Sequence, residues 1–303
     1  MSRRRRAFPL VPRRRLVGTP FGEHRASRRG RGSEVAGTRP YLPGDPVSTI
    51  DWYASARLSA ARGSDEFVVR ELYREESPRV MIVADRRPSM ALYGGGLPWL
   101  DKQAVVQAAA EAIARSAGVA GAELGYADAA GGRSYVLSPG AVAPRRVLDR
   151  VHRAPSDAAP ASLSPVLAGL AKRRAVLPQG SFVFVLSDFL VDVPETTWAH
   201  LRGARLDVVP VVVQDPTWEQ SFPPVHGVLV PFSTLDGEVV LVRLSAAETA
   251  ARRRENEDRL GALLGRFRRL GFDPLVLDDA DPAAVDTSFL RWAERRRLRW
   301  RRR

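Results

Sequence analysis

The 303-residue chain contains no cysteine. Disulfides, thiolate metal ligands and a cysteine nucleophile are therefore excluded, and the composition suits a reducing compartment. Lysine is almost missing as well. Lys102 and Lys172 are the only two, so 45 of the 47 basic residues are arginine. No stretch approaches the ~18 uninterrupted apolar residues that a membrane-spanning helix needs. The first residues are basic but no apolar segment follows them, so no signal peptide is expected. A Gly-x-x-x-x-Gly-Lys-Ser/Thr loop is absent, and Gly94-Gly95-Gly96 lacks the lysine that meets a nucleotide phosphate. His-Glu-x-x-His and Gly-x-Ser-x-Gly are absent too. The four histidines (His24, His152, His200 and His226) are scattered and read as surface residues. The expectation is a cytoplasmic protein that is not an enzyme.

Positive charge is abundant but unevenly placed. The formal net charge is +13, of which residues 1–31 carry +10 and residues 291–303 carry +7. Residues 32–290 hold the balance, −4, so the globular body is mildly acidic. Residues 1–20 and 291–303 read as basic tails, and 1–20 as disordered. Such tails bind the phosphates of nucleic acid or of an anionic membrane surface, with strong salt dependence. The plainer alternative is that they are solvated ends with no ligand. Trp292, Leu298 and Trp300 add an apolar element to the second tail, with Trp292 expected to pack under the last helix.

Between the tails the texture changes at residue 79. Residues 21–78 carry turn signals at Arg28–Gly32 and Pro43-Gly44-Asp45, with a strand-like alternation over Glu66–Leu72. This predicts a small β-rich region. From Arg79 onward, apolar runs alternate with helical periodicity. Arg79–Asp85, Ser181–Asp188 and Leu206–Val213 read as buried parallel strands. Asp101–Val119, Pro144–Arg153, Leu163–Arg174 and Glu195–Leu201 read as helices. Ala122–Ala127 and Ser134–Leu137 read as a strand pair around Gly131-Gly132. A β-hairpin insertion is expected over about 226–244, turning at Asp236-Gly237. A charged helix (about 246–270), a strand at Pro274–Leu277 and a helix (about 281–298) follow. The pattern predicts an α/β fold with a mostly parallel, Rossmann-like sheet and helices on both faces, spanning 79–290.

Two of these strands end in acids, Asp85 and Asp188. Ligands of open α/β sheets bind beyond the carboxyl ends of the strands. Here the sequence resembles a von Willebrand factor A domain, whose metal-ion-dependent adhesion site uses Asp-x-Ser-x-Ser, a Thr from a second loop and an Asp from a third. Asp85, Ser89 and Asp188 match that pattern, and the second-loop position falls on Ala161 or Ser162. Arg87 stands where the first Ser belongs. A hard cation such as Mg²⁺ wants about six oxygens, whereas a guanidinium satisfies two carboxylates with planar two-pronged geometry. Arg87 is therefore expected to substitute for the metal in a degenerate site. The alternative is that both aspartates cap helices and Arg87 points to solvent.

A second cluster lies upstream. Pro43-Gly44 suits the centre of a type II turn, and Asp45 is placed to accept backbone hydrogen bonds just after it. Ser48 or Thr49 is expected to cap a short helix carrying Ile50 and Trp52. Arg39, Asp45, Asp51 and Arg57 are expected to form an ion-pair lattice. The run Arg39, Tyr41, Gly44, Asp45, Ile50, Asp51, Trp52, Ala56 and Arg57, followed by Asp85, resembles the hallmark of domain-of-unknown-function family 58. Gly30-Arg31-Gly32-Ser33-Glu34 and Asp215-Pro216 with Glu219 and Pro223 fit further features of that family. The resemblance covers about residues 18–250 and implies a von Willebrand A-like domain. It also implies an adaptor working with a MoxR-type AAA+ ATPase on client proteins. No cofactor is expected. In that role the tails could hold the module at the inner face of the membrane. The alternatives are a binder of nucleic acid or an anionic membrane through the tails, and a Mg²⁺-dependent adhesion domain or hydrolase.

Overall fold

The computed structural model describes residues 5–13, 35–45, 47–63, 66–72, 78–91, 99–233 and 239–301. The expected features at Arg28–Gly32, Gly30–Glu34, Gly94–Gly96 and Asp236-Gly237 lie outside these residues, as does His24. The chain forms two compact units, one drawn from residues 15–78 and one from residues 1–14 and 79–303.

In the smaller unit, β1 (Val35–Pro40) pairs antiparallel with β2 (Val68–Leu72), and α1 (Trp52–Arg62) lies between them in sequence. The helix starts at Asp51, whose carboxylate accepts from Ala54 N at 3.0 Å. Neither Ser48 nor Thr49 is the cap; both lie in or beside a 3-10 turn at Val47–Thr49. Asp51 wins because its backbone N–H is already fixed by Val68 O at 2.9 Å, which sets the entry angle of the chain. Ser55, buried, ties helix to strand by accepting from Val68 N at 3.0 Å.

The larger unit is built on one six-stranded sheet. Its elements run β3 (Arg79–Ala84), α2 (Lys102–Val119), β4 (Glu123–Asp128), β5 (Tyr135–Leu137), α3 (Pro144–Arg153), α4 (Leu163–Lys172), β6 (Phe182–Ser187), α5 (Glu195–Gly203), β7 (Asp207–Val213), β8 (Leu229–Ser233), β9 (Val239–Arg243), α6 (Ala246–Arg269), β10 (Leu275–Leu277) and α7 (Pro282–Arg301). The strand order is β10-β7-β6-β3-β4-β5. Every pairing is parallel except β4 with β5. The order reverses between β3 and β6, which makes their carboxyl ends the switch point of the sheet. β8 and β9 form a separate antiparallel hairpin.

The central strands read as unbroken apolar runs because both faces are covered. Val183 and Val185 of β6 pack with Leu167 of α4, Trp198 of α5 and Phe267 of α6 in one core cluster. Phe182 and Phe184 point to the opposite face, where Phe184 meets Phe289 and Trp292 of α7. This is the period-two alternation of a strand buried twice over.

Both tails need correction. Residues 5–13 are not a solvated end: Phe8 is only 3% exposed and stacks on Phe289 at 4.6 Å. Its backbone N–H donates to Ser116 Oγ at 3.0 Å, and that of Arg13 donates to Asp207 at 2.8 Å. The arginine-rich context hides two apolar anchors, Phe8 and Leu10, spaced to share one side of an extended chain. At the other end α7 continues through residues 291–301 as regular helix. Val285, Phe289, Trp292, Ala293 and Arg296 fall on its buried stripe. Arg296 is tolerated there because it pairs with Asp207 through both Nη atoms, at 2.9 and 3.0 Å, and with Asp273 through Nε at 3.1 Å.

Candidate functional site

Asp85 follows the last residue of β3 and Asp188 that of β6, so the two parallel strands carry their acids to the same crest. Backbone register holds them there: Asp85 N donates to Leu186 O at 2.9 Å. Two carboxylates placed together in a buried site need positive charge between them.

Arg87 supplies it. Its Nε donates to Asp85 Oδ1 at 3.0 Å and Oδ2 at 2.8 Å, and its Nη2 donates to Asp85, to Ser187 Oγ at 3.1 Å and to Asp188 Oδ1 at 2.9 Å. Its backbone N–H also donates to Asp85 Oδ1, at 3.0 Å. Asp85, Arg87 and Asp188 are all buried, so the alternative of a solvent-facing arginine is excluded. Burial works against the charge of Arg87, but the hydrogen bonds and attraction of Asp85, then Asp188, outweigh it and hold its pKa above the ordinary value.

A second cation completes the lattice. Lys102, the first residue of α2, donates through Nζ to Asp188 Oδ2 at 3.2 Å, to Ser89 O at 3.1 Å and to the carboxylate of Glu219. Burial opposes the Lys102 charge too, yet Asp188 and Glu219 hold its pKa above normal. Asp188 is held below the ordinary carboxylate range, because Lys102 and Arg87 together overcome the effect of burial. Glu219 goes the other way: burial raises it, and Lys102 only partly offsets that. Three carboxylates thus face two cations.

The loops around the lattice are stiffly held. Phe189 adopts φ 51°, a left-handed conformation unfavourable for a bulky side chain. It is locked by core packing against Phe267 and by its N–H donating to Ser187 Oγ at 3.0 Å. Gln214 Nε2 donates to Asp188 O at 2.6 Å. Asp215 accepts from the N–H groups of Leu100, Thr217 and Trp218 and so fixes the loop that carries Glu219.

The expected metal residues are therefore only partly assembled. Ser187, not Ser162, is the hydroxyl in contact, donating to Asp85 Oδ2 at 2.6 Å. Ser162 precedes α4 and its side chain makes no hydrogen bond with either aspartate. The Ser89 hydroxyl is buried near Asp188 without a hydrogen bond of ordinary geometry. The donor set does not fit a resident divalent ion: the facing oxygens of Asp85 and Asp188 are bonded to Arg87 and Lys102. Sequence reasoning missed Lys102, Ser187 and Gln214, and gave Glu219 no role. Lys102 carried one signal, being one of two lysines in a chain that otherwise uses arginine.

In the smaller unit the turn at Leu42–Asp45 forms, with Gly44 at φ 105° and Asp45 N donating to Leu42 O at 3.0 Å. Asp45 does not bond forward. It reaches back to Leu42 N at 2.9 Å and takes both Nη atoms of Arg39, at 2.6 and 2.7 Å. These bonds, Arg39 first, lower its pKa to about 2. Arg57 stays out of the expected lattice. It is exposed and lies over the ring of Tyr53 at 5.8 Å. Tyr41 is half-buried. Trp52 and Tyr53 are 59% and 76% exposed, and Trp52 meets Phe67 edge to face. Of the described histidines, His152, His200 and His226 are all exposed.

Fold and site together define a mixed α/β protein with a mostly parallel sheet whose switch point is closed by internal ion pairs. The chain belongs to the family described as protein of unknown function DUF58, whose model matches residues 37–260. It is 28% identical over 252 residues to the uncharacterized protein Rv1480 of Mycobacterium tuberculosis, covering 82% of this chain and 74% of that one. Among solved structures it is similar to the conserved hypothetical protein BatB of Bacteroides thetaiotaomicron, with 14% identity and a TM-score of 0.40 over 72% of this chain and all of that one. An aerotolerance-related membrane protein of Bacteroides fragilis matches with 13% identity and a TM-score of 0.42, over 72% of this chain and all of that one. No helix among the described residues is long and apolar enough to cross a membrane.

Proposed function

We propose that the protein is a non-catalytic interaction module, an adaptor that works with a MoxR-type AAA+ ATPase in remodelling client proteins. The observation that carries this reading is the lattice at the sheet's switch point. Arg87 and Lys102 occupy the facing oxygens of Asp85 and Asp188, the groups a reactive or metal-binding crest would need. The strand order, with one antiparallel edge strand and acids at the crest, supports a von Willebrand A-type unit bearing a degenerate adhesion site. The ATPase as partner rests on the family's linkage to such enzymes. Cytoplasmic placement, with no cofactor, belongs to the same reading.

An adaptor needs surface that is rigid and sticky. In the smaller unit, Leu42, Val47, Trp52, Tyr53 and Phe67 are all exposed large apolar residues, and aromatic side chains are favoured anchors at interfaces. In the larger unit, Ala159, Pro160 and Ala161 lie exposed on the loop before α4. The test is co-purification of the full chain with the MoxR-type ATPase of the same genome. Trp52→Ser/Tyr53→Ser and Ala161→Glu variants are compared with the parent. Association that is lost in these variants is the expected result. No association with the parent chain overturns the partnership, and association unchanged in all variants overturns the surface assignment.

A further inference from the structure

We infer that a groove at the opposite end of the sheet, beyond the amino ends of β7 and β10, binds phosphate-bearing anions. It is open to solvent and is lined by Arg13, Arg268, Asp273, Arg296 and Arg299. Its continuation adds Arg295. These arginines come from three separate segments: the chain before β1, the end of α6, and α7.

The floor of the groove is built and closed. Arg296 spends its donors on Asp207, Asp273 and Val11 O, at 2.9 to 3.1 Å. Asp273 also takes Arg299 at 2.5 Å. Among the described residues, the five arginines that line the groove and its continuation share two carboxylates, Asp207 and Asp273, which leaves positive charge in excess. Arg268 and Arg295 are exposed, and no carboxylate of the described residues lies within ion-pair reach of either. Gly271 adds a second feature. It has φ 85°, and a Cβ there would stand 2.8 Å from both Nη atoms of Arg13, so the glycine lets that guanidinium lie against the backbone.

Helix electrostatics explains only part of this. Arg268 sits in the last turn of α6, where basic residues offset the carbonyl end of the dipole. Arg295 lies in the body of α7, where no such benefit applies. Guanidinium forks match phosphate oxygens two at a time. A set of forks spread over three segments suits a ligand with several phosphate oxygens, either a free oligophosphate or the phosphate headgroup of an anionic lipid. Four of the five, Arg13, Arg295, Arg296 and Arg299, belong to the arginine-rich ends, but the fold holds them on a concave surface together with Arg268.

The test is calorimetric titration of the full chain with tripolyphosphate at physiological salt. The variants are Arg268→Glu/Arg295→Glu and the milder Arg268→Gln/Arg295→Gln. Arg133→Glu/Arg243→Glu, exposed arginines elsewhere, controls for net charge. Saturable binding is expected, at least about tenfold weaker in both groove variants and within about twofold of the parent in the control. Sedimentation with phosphatidylcholine vesicles containing phosphatidic acid separates the sources. Vesicle association lost in the groove variants assigns a lipid headgroup, and tripolyphosphate binding without vesicle association assigns a free ligand. Absence of binding to both probes overturns the inference. So does binding, including binding to duplex DNA, that the groove variants retain in full, because the affinity then resides outside the groove.

Discussion

Arg87 Nη2 stands 2.9 Å from Asp188 Oδ1 while Arg87 Nε stands 2.8 Å from Asp85 Oδ2, so one side chain joins loops that are a hundred residues apart in sequence. A buried ion pair adds little net stability when compared with a well-packed apolar replacement. Its loss on one side is another matter. Removing Arg87 leaves Asp85 buried with no cation and Asp188 with Lys102 alone.

Arg87→Ala is therefore expected to destabilise the larger unit by about 3–5 kcal/mol, read from urea unfolding. Adding Asp85→Asn to that variant is expected to restore part of the loss, because it removes the carboxylate left without a cation. A loss below about 1 kcal/mol, the range of an exposed pair, would show that the lattice does not bear on stability.

The same geometry sets the response to metal. Millimolar Mg²⁺ is expected to leave the unfolding midpoint of the parent chain where a chelator leaves it. A rise in midpoint with Mg²⁺ that disappears in Asp85→Ala would mean that the guanidinium yields to the ion, and the adhesion-type reading would regain force.

Much of this arrangement was legible in the chain, and the illegible part has physical causes. β3, β6 and β7 announce themselves because strands covered on both faces carry no polar interruption. Arg87 was legible as a cation among carboxylates because its neighbours at positions 85 and 188 end such strands. Lys102 was not, since a lysine after the helix cap Asp101 reads as a solvated first-turn residue, and only the loop of Asp215 brings Glu219 against it. Asp45 reaching back instead of forward was also hidden: the bidentate geometry of Arg39 decides it, and that depends on β1 lying beside the turn.

Lys102→Met offers a prediction with a pH sign. Without the ammonium, Asp188 keeps one cation and Glu219 keeps none, so a loss of about 3–5 kcal/mol is expected at neutral pH. Burial raises the Glu219 carboxyl in the folded state. A raised carboxyl penalises folding above its folded pKa, and the penalty vanishes as pH falls through it. Removing Lys102 raises Glu219 further and releases Asp188 from one of the groups that hold it down. The deficit of the variant relative to the parent is therefore expected to shrink from neutral to mildly acidic pH. A deficit that stays constant or grows over that range would place the effect in packing rather than charge.

Phe8 provides the sharpest test of how the chain before β1 behaves. Its ring stacks on Phe289 at 4.6 Å and meets Trp292 and Phe184 edge to face at 6.0 and 6.1 Å. These are three residues of the larger unit's core, contributed by α7 and β6. A ring so enclosed behaves as a core residue although it sits among arginines. Phe8→Ala is expected to cost about 3–5 kcal/mol, the range for a buried phenylalanine emptied to a cavity. Phe8→Leu, which keeps much of the volume, is expected to recover part of that loss. Arg6→Ala, two residues away on an exposed side chain, is expected to change stability by less than about 0.5 kcal/mol. Urea unfolding of the three variants separates the cases: equal midpoints for Phe8→Ala and Arg6→Ala would show that residues 5–13 behave in solution as the free basic tail suggested by composition.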